Sequence, residues 1–526
     1  MRETIRTDVL VVGAGPTGLS LACQFARHGV DFVVVEKNAG VTPYSKAIGV
    51  HARTLEIYEQ MGLAREGVER GTVAGKVRLL SGGELRGEFG LSDIGEGLSP
   101  YPFVLMLEQS KNERLLYDYL LSQGRDVVWD TSLESFTQTE VGVTARVKTA
   151  AGESRAVEAK YLVGCDGAKS PVRHSLGLAF EGSTFERTFY VADARVDWQF
   201  GHDALTVSLS KETFVVFFPL KGEGRYRVVG VFPEEFARDE GDVLYEEIEA
   251  RIKQEAELEL DIHDVEWFST YKVHTRHVGR FREGRCFLAG DSAHIHSPAG
   301  AQGMNTGIQD AYNLAWKLAL VLKGAAGERL LDTYNVERLE NAKNLLRTTD
   351  RMFQLAAGPE WLLSFLRTNV FPAVAGYLFS FDSVKRYVFP LVSQIGISYR
   401  HSPLSRHAGD DDFKVKAGDR MPYFLVEGES VYDRLHQPKF HLLAFTDETA
   451  SARASETSQT EAASPNDLVD FQAFPLGPQV KEAFGADRPF TVLLRPDNYV
   501  AHIWAGSPLG GLKDYLDDFA ARLGKR

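Results

Sequence analysis

Three short clusters of residues in this chain have the types and spacing to do chemistry. The first is Gly13-x-Gly15-x-x-Gly18, with Pro16 and Thr17 inside it and Glu36 at the end of the next apolar run. The first glycine permits a tight turn, the second lets a pyrophosphate approach the main chain, and the third lets helix and strand pack closely. A helix that starts here points free N–H groups at the phosphates, and Glu36 is placed to accept hydrogen bonds from ribose hydroxyls. The second cluster runs from Gly290-Asp291 through Pro298, Gly300 and Gly303 to Met304-Asn305. A carboxylate just after a strand can hold a sugar-alcohol hydroxyl, and the helix beyond it aims its positive end into the loop. The third cluster is Gly164-Cys-Asp166-Gly167-Ala-Lys-Ser170-x-Val-Arg173, an Asp-Gly turn with Ser and Arg behind it.

The first cluster alone does not separate FAD from NAD. The second decides for a flavin, because reduced flavin gathers negative charge near its pyrimidine ring and a helix N-terminus stabilises charge there. His294 and His296 stand at i, i+2, but no third His or Cys is near in sequence, so they read as loop-shaping residues and no metal is expected.

The elements that must hold these clusters are legible around them. Asp8-Val-Leu-Val-Val12 is a continuous apolar run, as a parallel strand buried on both faces requires. It is followed by helical spacing from Leu19 to His28 and a second strand, Asp31 to Val35. Gly71 to Pro102 is Gly-rich and irregular, with short strand-like pieces; a helix spans Glu108 to Ser122. From Thr188 to about Thr275 the pattern is mainly alternating. There Phe214–Phe218 and Tyr226–Phe232 flank Lys221-Gly-Glu-Gly224 and predict an antiparallel hairpin. Cys286 to Ala289 reads as a strand and Ile308 to Leu355 as one long amphipathic helix, with mostly helix again from Gly358 to Ser402. Arg406 to Asp412 reads as a linker, Phe440–Thr446 and Phe490–Leu494 as strands, and Gly511–Leu523 as a closing helix. Glu448 to Asn466, Ser/Thr/Ala/Glu-rich without periodicity, reads as a mobile surface insertion.

A chain of 526 residues predicts two or three domains, and 44% hydrophobic content supports a sizeable core. The net charge of −13 argues against nucleic acid as a partner. The three cysteines, Cys23, Cys165 and Cys286, form no CxxC pair, which fits a reducing, cytoplasmic setting. No stretch has the length of apolar residues that a membrane span needs.

In their order and spacing the three clusters resemble the class A FAD-dependent aromatic hydroxylases, the family of p-hydroxybenzoate and phenol hydroxylases. Residues 5 to about 355 carry the resemblance, with Asn313-Leu-Ala-Trp-Lys317 and Tyr334-Asn-Val-Glu337-Arg338 as further matches. The family implies an α/β fold: a Rossmann-like FAD-binding domain (1–73, 103–180 and 276–355) interleaved with an antiparallel substrate-binding sheet (74–102 and 181–275). A helical connector (356–405) would follow. Ala417-Gly-Asp-Arg420-Met-Pro422 and Arg495-Pro-Asp-Asn-Tyr-Val-Ala501 look like the thioredoxin-like C-terminal domain (406–526) of the aromatic-polyketide hydroxylases; without CxxC its role would be structural or dimerising.

The resemblance also assigns residues. Besides the glycine motif and Glu36-Lys37, the segment with Lys46 and Arg53 would wrap the FAD, Lys46 standing where many members have Arg, and Gln109 would contact the ribityl chain. Asp166 and Gly167 would serve the pyrophosphate and NAD(P)H. Asp291, Pro298, Gly300, Gly303, Met304 and Asn305 would form the flavin loop, with Ser297-Pro298 in place of the usual Pro-Pro. Its implied chemistry is hydride transfer from NADPH or NADH to FAD, then O₂ forming a flavin C4a-hydroperoxide that hydroxylates a phenolic or polycyclic ring. The cofactor carries that chemistry, so no catalytic side chain is assigned. Val216, Phe218, Arg225 and Pro298 are candidate substrate contacts, either face of the Phe214–Phe218 strand being open as the pocket wall. Baeyer–Villiger oxygenation, antibiotic inactivation and a non-oxygenating FAD oxidoreductase are the competing readings, in a monomer or homodimer.

Overall fold

Val9, Leu10 and Val11 have no exposed surface, which is what a strand covered on both faces demands. They belong to β1 (Ile5–Val12), the centre of a largely parallel sheet. The computed structural model describes residues 4–210, 213–232, 245–297, 299–357, 370–447, 468–506 and 508–523. In it β1 pairs in parallel with β2 (Phe32–Val35) on one side and β3 (Ser154–Gly164) on the other, with Val9 opposite both Phe32 and Tyr161. Outside β3 comes β8 (Cys286–Leu288), also parallel. The chain leaves β1 into α1 (Pro16–Arg27), β3 into the Asp166 turn and β8 into the Gly290 turn. All three clusters therefore sit at the carboxyl ends of adjacent parallel strands, where open α/β sheets bind ligands.

A second sheet has eight strands among the described residues. Its centre is β4 (Phe180–Trp198), β5 (Phe214–Pro219), β6 (Arg225–Val231) and β7 (Leu260–Val278). The β5–β6 hairpin is antiparallel, with Val216 opposite Val229. One edge of this sheet is the hairpin Lys76–Ser81/Glu84–Gly90, inside the Gly-rich stretch read as holding short strand-like pieces. The other edge is His294–Ile295, so the loop of the second cluster is hydrogen-bonded to the sheet through β7.

Two readings are corrected here. The stretch taken as one long helix is two, α5 (Gly303–Leu322) and α6 (Arg329–Ala357), parted where Gly324 adopts φ +72. The alternating region from Thr188 to Thr275 contains a helix, α4 (Tyr245–Ala256), whose buried Ile252 joins the core formed by Val215 and Phe217. Arg406 to Asp412 is also tied down rather than free: the Arg406 N–H donates to the Ala501 carbonyl (2.9 Å) and Asp410 is buried.

The C-terminal unit has a mixed four-stranded sheet, in the order Val469–Pro475, Phe440–Thr446, Phe490–Leu494 and Val500–Ala505, with helices Pro478–Phe484 and Pro508–Leu523. It holds no cysteine; the three thiols are free and buried in the core around the first sheet. The insertion Glu448–Asn466, the segment 358–369 and Pro298 lie outside the described residues. No helix among the described residues is long and apolar enough to cross a membrane.

Candidate functional site

The glycines of the first cluster have three different reasons to be glycine. Gly13 adopts φ +102, and a Cβ on it would lie 2.4 Å from the Cys165 carbonyl oxygen. A Cβ on Gly18 would lie 1.9 Å from the Gly13 carbonyl oxygen. Around Gly15, by contrast, nothing lies within 4 Å. That gap opens at the start of α1, with Pro16 in its first turn, where no side chain caps the first N–H groups. An uncapped helix end beside an open glycine is a cradle for an anion.

The same glycine geometry shows the clusters meeting. Gly13 backs onto Cys165 of the third cluster. The Thr17 hydroxyl fits between Gly290 and Gly307, where a Cβ would come within 2.4 and 2.3 Å of it. In the third cluster Asp166 accepts from the Ser170 hydroxyl (2.5 Å) and the Val172 N–H (3.0 Å), starting a short helix. Gly167 takes the left-handed φ +80 that the turn needs. Arg173, on that helix, donates to the Ser292 carbonyl (3.1 Å) and so joins the third cluster to the second.

Glu36 is buried, and its carboxylate accepts from the Ala14 N–H at 2.8 Å and from Asn38 N–H and Nδ2 at 3.0 and 2.6 Å. It holds the glycine loop from below; Lys37 beside it is exposed. Near it is Glu113 on α3 (Gln109–Ser122), a residue whose function the sequence does not announce. Glu113 accepts from Gln109 Nε2 (2.8 Å) and the Thr42 N–H (2.9 Å). Burial and the charge of Glu36 push its carboxyl up to about 7 against those hydrogen bonds. Gln109 in turn accepts the Lys46 N–H at 3.2 Å, so it orders the strap around Lys46. The exposed Lys46 ammonium lies close enough to Asp291 to favour its charge. Asp291 is exposed on one side, yet the protein behind it strips enough water to raise its carboxyl.

Around the loop of the second cluster the polar groups are tightly assigned. Asp310 accepts from the Gly290 N–H (2.9 Å), His294 Nε2 (2.7 Å) and Arg338 Nε (2.7 Å). Burial would raise that carboxyl, but Arg338 and His294 outweigh it and hold it low. His294 is thus a structural partner. Asn305 is a four-way clamp: it accepts from the His51 N–H (2.9 Å) and Thr54 hydroxyl (2.7 Å) and donates to the Gly49 and Ala301 carbonyls (both 2.9 Å). Met304 points its sulfur at Asn112 Nδ2 (3.5 Å). Gly300 adopts φ +75, and His296 packs against Gly303.

Three buried groups by this loop have a polar atom without a partner among the described residues: His51 Nδ1, His296 Nε2 and Ser297 Oγ. Burial lowers both imidazoles to about 4, so they are neutral at pH 7. His51 Nε2 lies 2.8 Å from the Gly300 carbonyl, which only accepts, so Nε2 carries the hydrogen. His296 Nδ1 donates likewise to the Ser297 carbonyl at 2.8 Å. Each ring therefore leaves a bare acceptor nitrogen, and a flavin with its ribityl hydroxyls and ring N–H offers the donors that such acceptors lack. With the open cradle at Gly15, this donor demand fits FAD.

Two expected contacts lie elsewhere. Arg53, on α2 (Ala52–Glu59), is wholly buried, and its guanidinium donates to Glu56 (3.1 Å) and to the Asp497 carbonyl (2.8 Å) of the C-terminal unit. Arg225 is bidentate on Glu266 (2.8 and 2.6 Å) and reaches Glu108 (3.2 Å) at the start of α3, tying the second sheet to the FAD domain. The strand faces are resolved as well. Val215 and Phe217 are buried against Tyr226 and Ile252, while Phe214, Val216 and Phe218 are half-buried on the opposite face. Phe218 packs against a cluster that contains Ile48, Met106 and Ile395, residues from segments outside this sheet.

Comparison with known proteins agrees with this geometry. A family model described as "FAD binding domain" matches residues 6–349. A rifampicin monooxygenase of Streptomyces venezuelae is 34% identical over 516 residues, covering 95% of each chain. The 12-dehydrotetracycline 5-monooxygenase/anhydrotetracycline 6-monooxygenase of Streptomyces rimosus is 32% identical, covering 98% of each. Among solved structures, CabE, an aromatic hydroxylase from angucycline biosynthesis, is 31% identical with a TM-score of 0.75, covering 98% of this chain and 99% of its own.

Proposed function

The chain belongs to the family of FAD-dependent aromatic monooxygenases, and from that premise we propose that it hydroxylates a polycyclic phenolic substrate, with O₂ as oxidant and NADPH or NADH as reductant. One oxygen atom enters a ring C–H bond and the other leaves as water, with two electrons drawn from the nicotinamide. Bound FAD supplies the redox chemistry; the side chains bind, orient and exclude water.

The observation that carries this reading is the shared edge of loop and sheet. His294–Ile295 is hydrogen-bonded to β7, so the loop that faces the flavin is also a margin of the sheet whose Phe214–Val216–Phe218 face stays half-buried. Phe218 clusters with Ile48, whose neighbour Gly49 abuts Ala301 of the loop, so a ring lying on that face would meet apolar contacts from the sheet and polar groups from the loop. Gly15 and the N-terminus of α1 would hold the pyrophosphate, Glu36 would meet the adenosine ribose, and Gln109 and Asp291 would meet the ribityl chain. The N-terminus of α5, which no side chain caps, would stabilise negative charge on a flavin held in this loop. Val216 and Phe218 form the apolar wall, and Arg225 positions the sheet against α3. We read the C-terminal unit as thioredoxin-like in layout, without dithiol chemistry.

Likeness to a rifampicin monooxygenase favours a second reading on the same scaffold, oxygenation of an antibiotic that inactivates it. A turnover panel decides: NADPH and NADH consumption is followed with simple phenols, tetracyclic phenols and an ansamycin naphthoquinol. The expected outcome is stimulation by the tetracyclic phenols, matched mole for mole by hydroxylated product. Stimulation by the ansamycin alone selects the second reading. No stimulation by any compound, with all electrons going to H₂O₂, overturns both.

A further inference from the structure

The C-terminal unit inserts one turn, Arg495 to Tyr499, between helices that carry flavin-loop contacts. The turn is buried throughout: Arg495 has no exposed surface and Asp497, Asn498 and Tyr499 have 2% or less. Asn498 adopts the left-handed φ +59, which directs the chain back on itself. Arg495 is bidentate on Glu337 of α6 (2.6 and 3.0 Å) and paired with Asp497 (2.9 and 2.5 Å). Asp497 accepts from Trp316 Nε1 on α5 (3.1 Å). Its carbonyl takes the Arg53 guanidinium of α2 (2.8 Å), which also stacks over Tyr499 at 5.0 Å.

Buried ionic knots of this kind add little to stability compared with apolar packing of the same volume, and their best-attested use is to fix one arrangement. Here the arrangement fixed is that of α2 relative to α5. The N-terminal ends of both helices meet at the flavin loop: on α2 the knot residue Arg53 is the second residue from that end, and on α5 the loop contact is in the first turn. His51, the residue before α2, donates to the Gly300 carbonyl, and its N–H binds Asn305 in the first turn of α5. Trp316 lies three turns further along α5, roughly 16 Å away. A rigid helix transmits a shift over that length.

We propose that Arg53, Arg495 and Asp497 are positioning residues for the flavin: the C-terminal turn sets α2 against α5 and thereby holds the His51–Gly300–Asn305 contacts that shape the loop. The test uses the full chain, replacing Arg53 by Met or by Lys, with Asp497→Asn as a near-isosteric second variant. FAD affinity and the visible absorbance and circular dichroism of bound FAD are measured beside a thermal melt. In Arg53→Met, FAD binds about tenfold more weakly, as loss of a hydrogen bond from a charged group implies, and the visible bands of bound FAD shift. Arg53→Lys restores part of both, and Asp497→Asn moves them in the same direction. A purely structural contact would lower the melting temperature and leave the spectrum of bound FAD untouched. Unchanged affinity and spectrum in folded Arg53→Met overturn the proposal; if that variant does not fold, the same result in Asp497→Asn does so.

Discussion

In the cradle around β1 and α1 a residue's place is set by its neighbours in sequence, whereas in the sheet of β4 to β7 it is set by strands paired across distant positions. Gly13, Gly15 and Gly18 lie within six residues, and apart from the Cys165 carbonyl behind Gly13 the local backbone dictates what each must do. Arg225 and Phe218 have no such local grammar. Arg225 takes its partners from Glu266 and Glu108, and whether Phe217 or Phe218 faces the core depends on which side α4 covers. A cradle written locally tolerates change elsewhere but none within it. A face chosen by long-range packing can be altered one side chain at a time, which suits a scaffold that must fit different rings.

The widest contrast to probe lies inside the cradle. Gly13→Ala forces a side chain into φ +102 and against the Cys165 carbonyl; it costs about 3–5 kcal/mol of stability, read by thermal melting. Gly15→Ala meets no atom within 4 Å. It leaves the melt of the FAD-free chain within about 0.5 kcal/mol of the wild type, yet lowers FAD affinity more than about tenfold by titration. If Gly15→Ala binds FAD normally, the cradle is misplaced.

The sheet is sharpened by neighbours on one strand. Phe217→Ala removes a ring buried against Tyr226 and Trp198 and costs about 3–5 kcal/mol. Phe218→Ala, on the half-buried face, costs about 1–2 kcal/mol but raises KM for the aromatic substrate. The reverse pattern would move the pocket to the other face.

The smallest effect is a pH dependence. Glu113 is pushed up to about 7 from 4.5, so the folded chain keeps a proton that the unfolded chain releases. Stability therefore falls as pH rises from about 4.5 through 7. An ionised Glu113 beside Glu36 also opposes the bound pyrophosphate, so FAD affinity drops by about threefold between pH 6 and 8. Glu113→Gln flattens that profile in fluorescence titration; an equal slope in the variant assigns the effect to another group.

Much of the cradle was legible because its determinants are short-range. The glycine spacing, the Asp166-Gly167 turn and the Asp291 loop each announce a strand end and the turn or helix beyond it. The split between α5 and α6 was also written in Gly324 and Gly327, and α4 in its Glu-rich sequence, but the surrounding patterns masked both. What local pattern does not carry are partners far apart in the chain. Arg53 resembles a cofactor ligand by its position in the strap, yet its guanidinium is claimed by Asp497, 444 residues away. Glu113 gains its raised carboxyl only when folding buries it, with Glu36 alongside, and the Asp310–His294–Arg338 group assembles only once α6 packs on α5.

The decisive quantity is the fate of oxygen. The FAD-loaded protein is given NADPH, a tetracyclic phenol and isotopically labelled O₂, and the product is weighed by mass spectrometry. The predicted result is one labelled oxygen atom in the ring hydroxyl of the product for each NADPH consumed. Label recovered only in H₂O₂, or a product whose new oxygen comes from water, would contradict it.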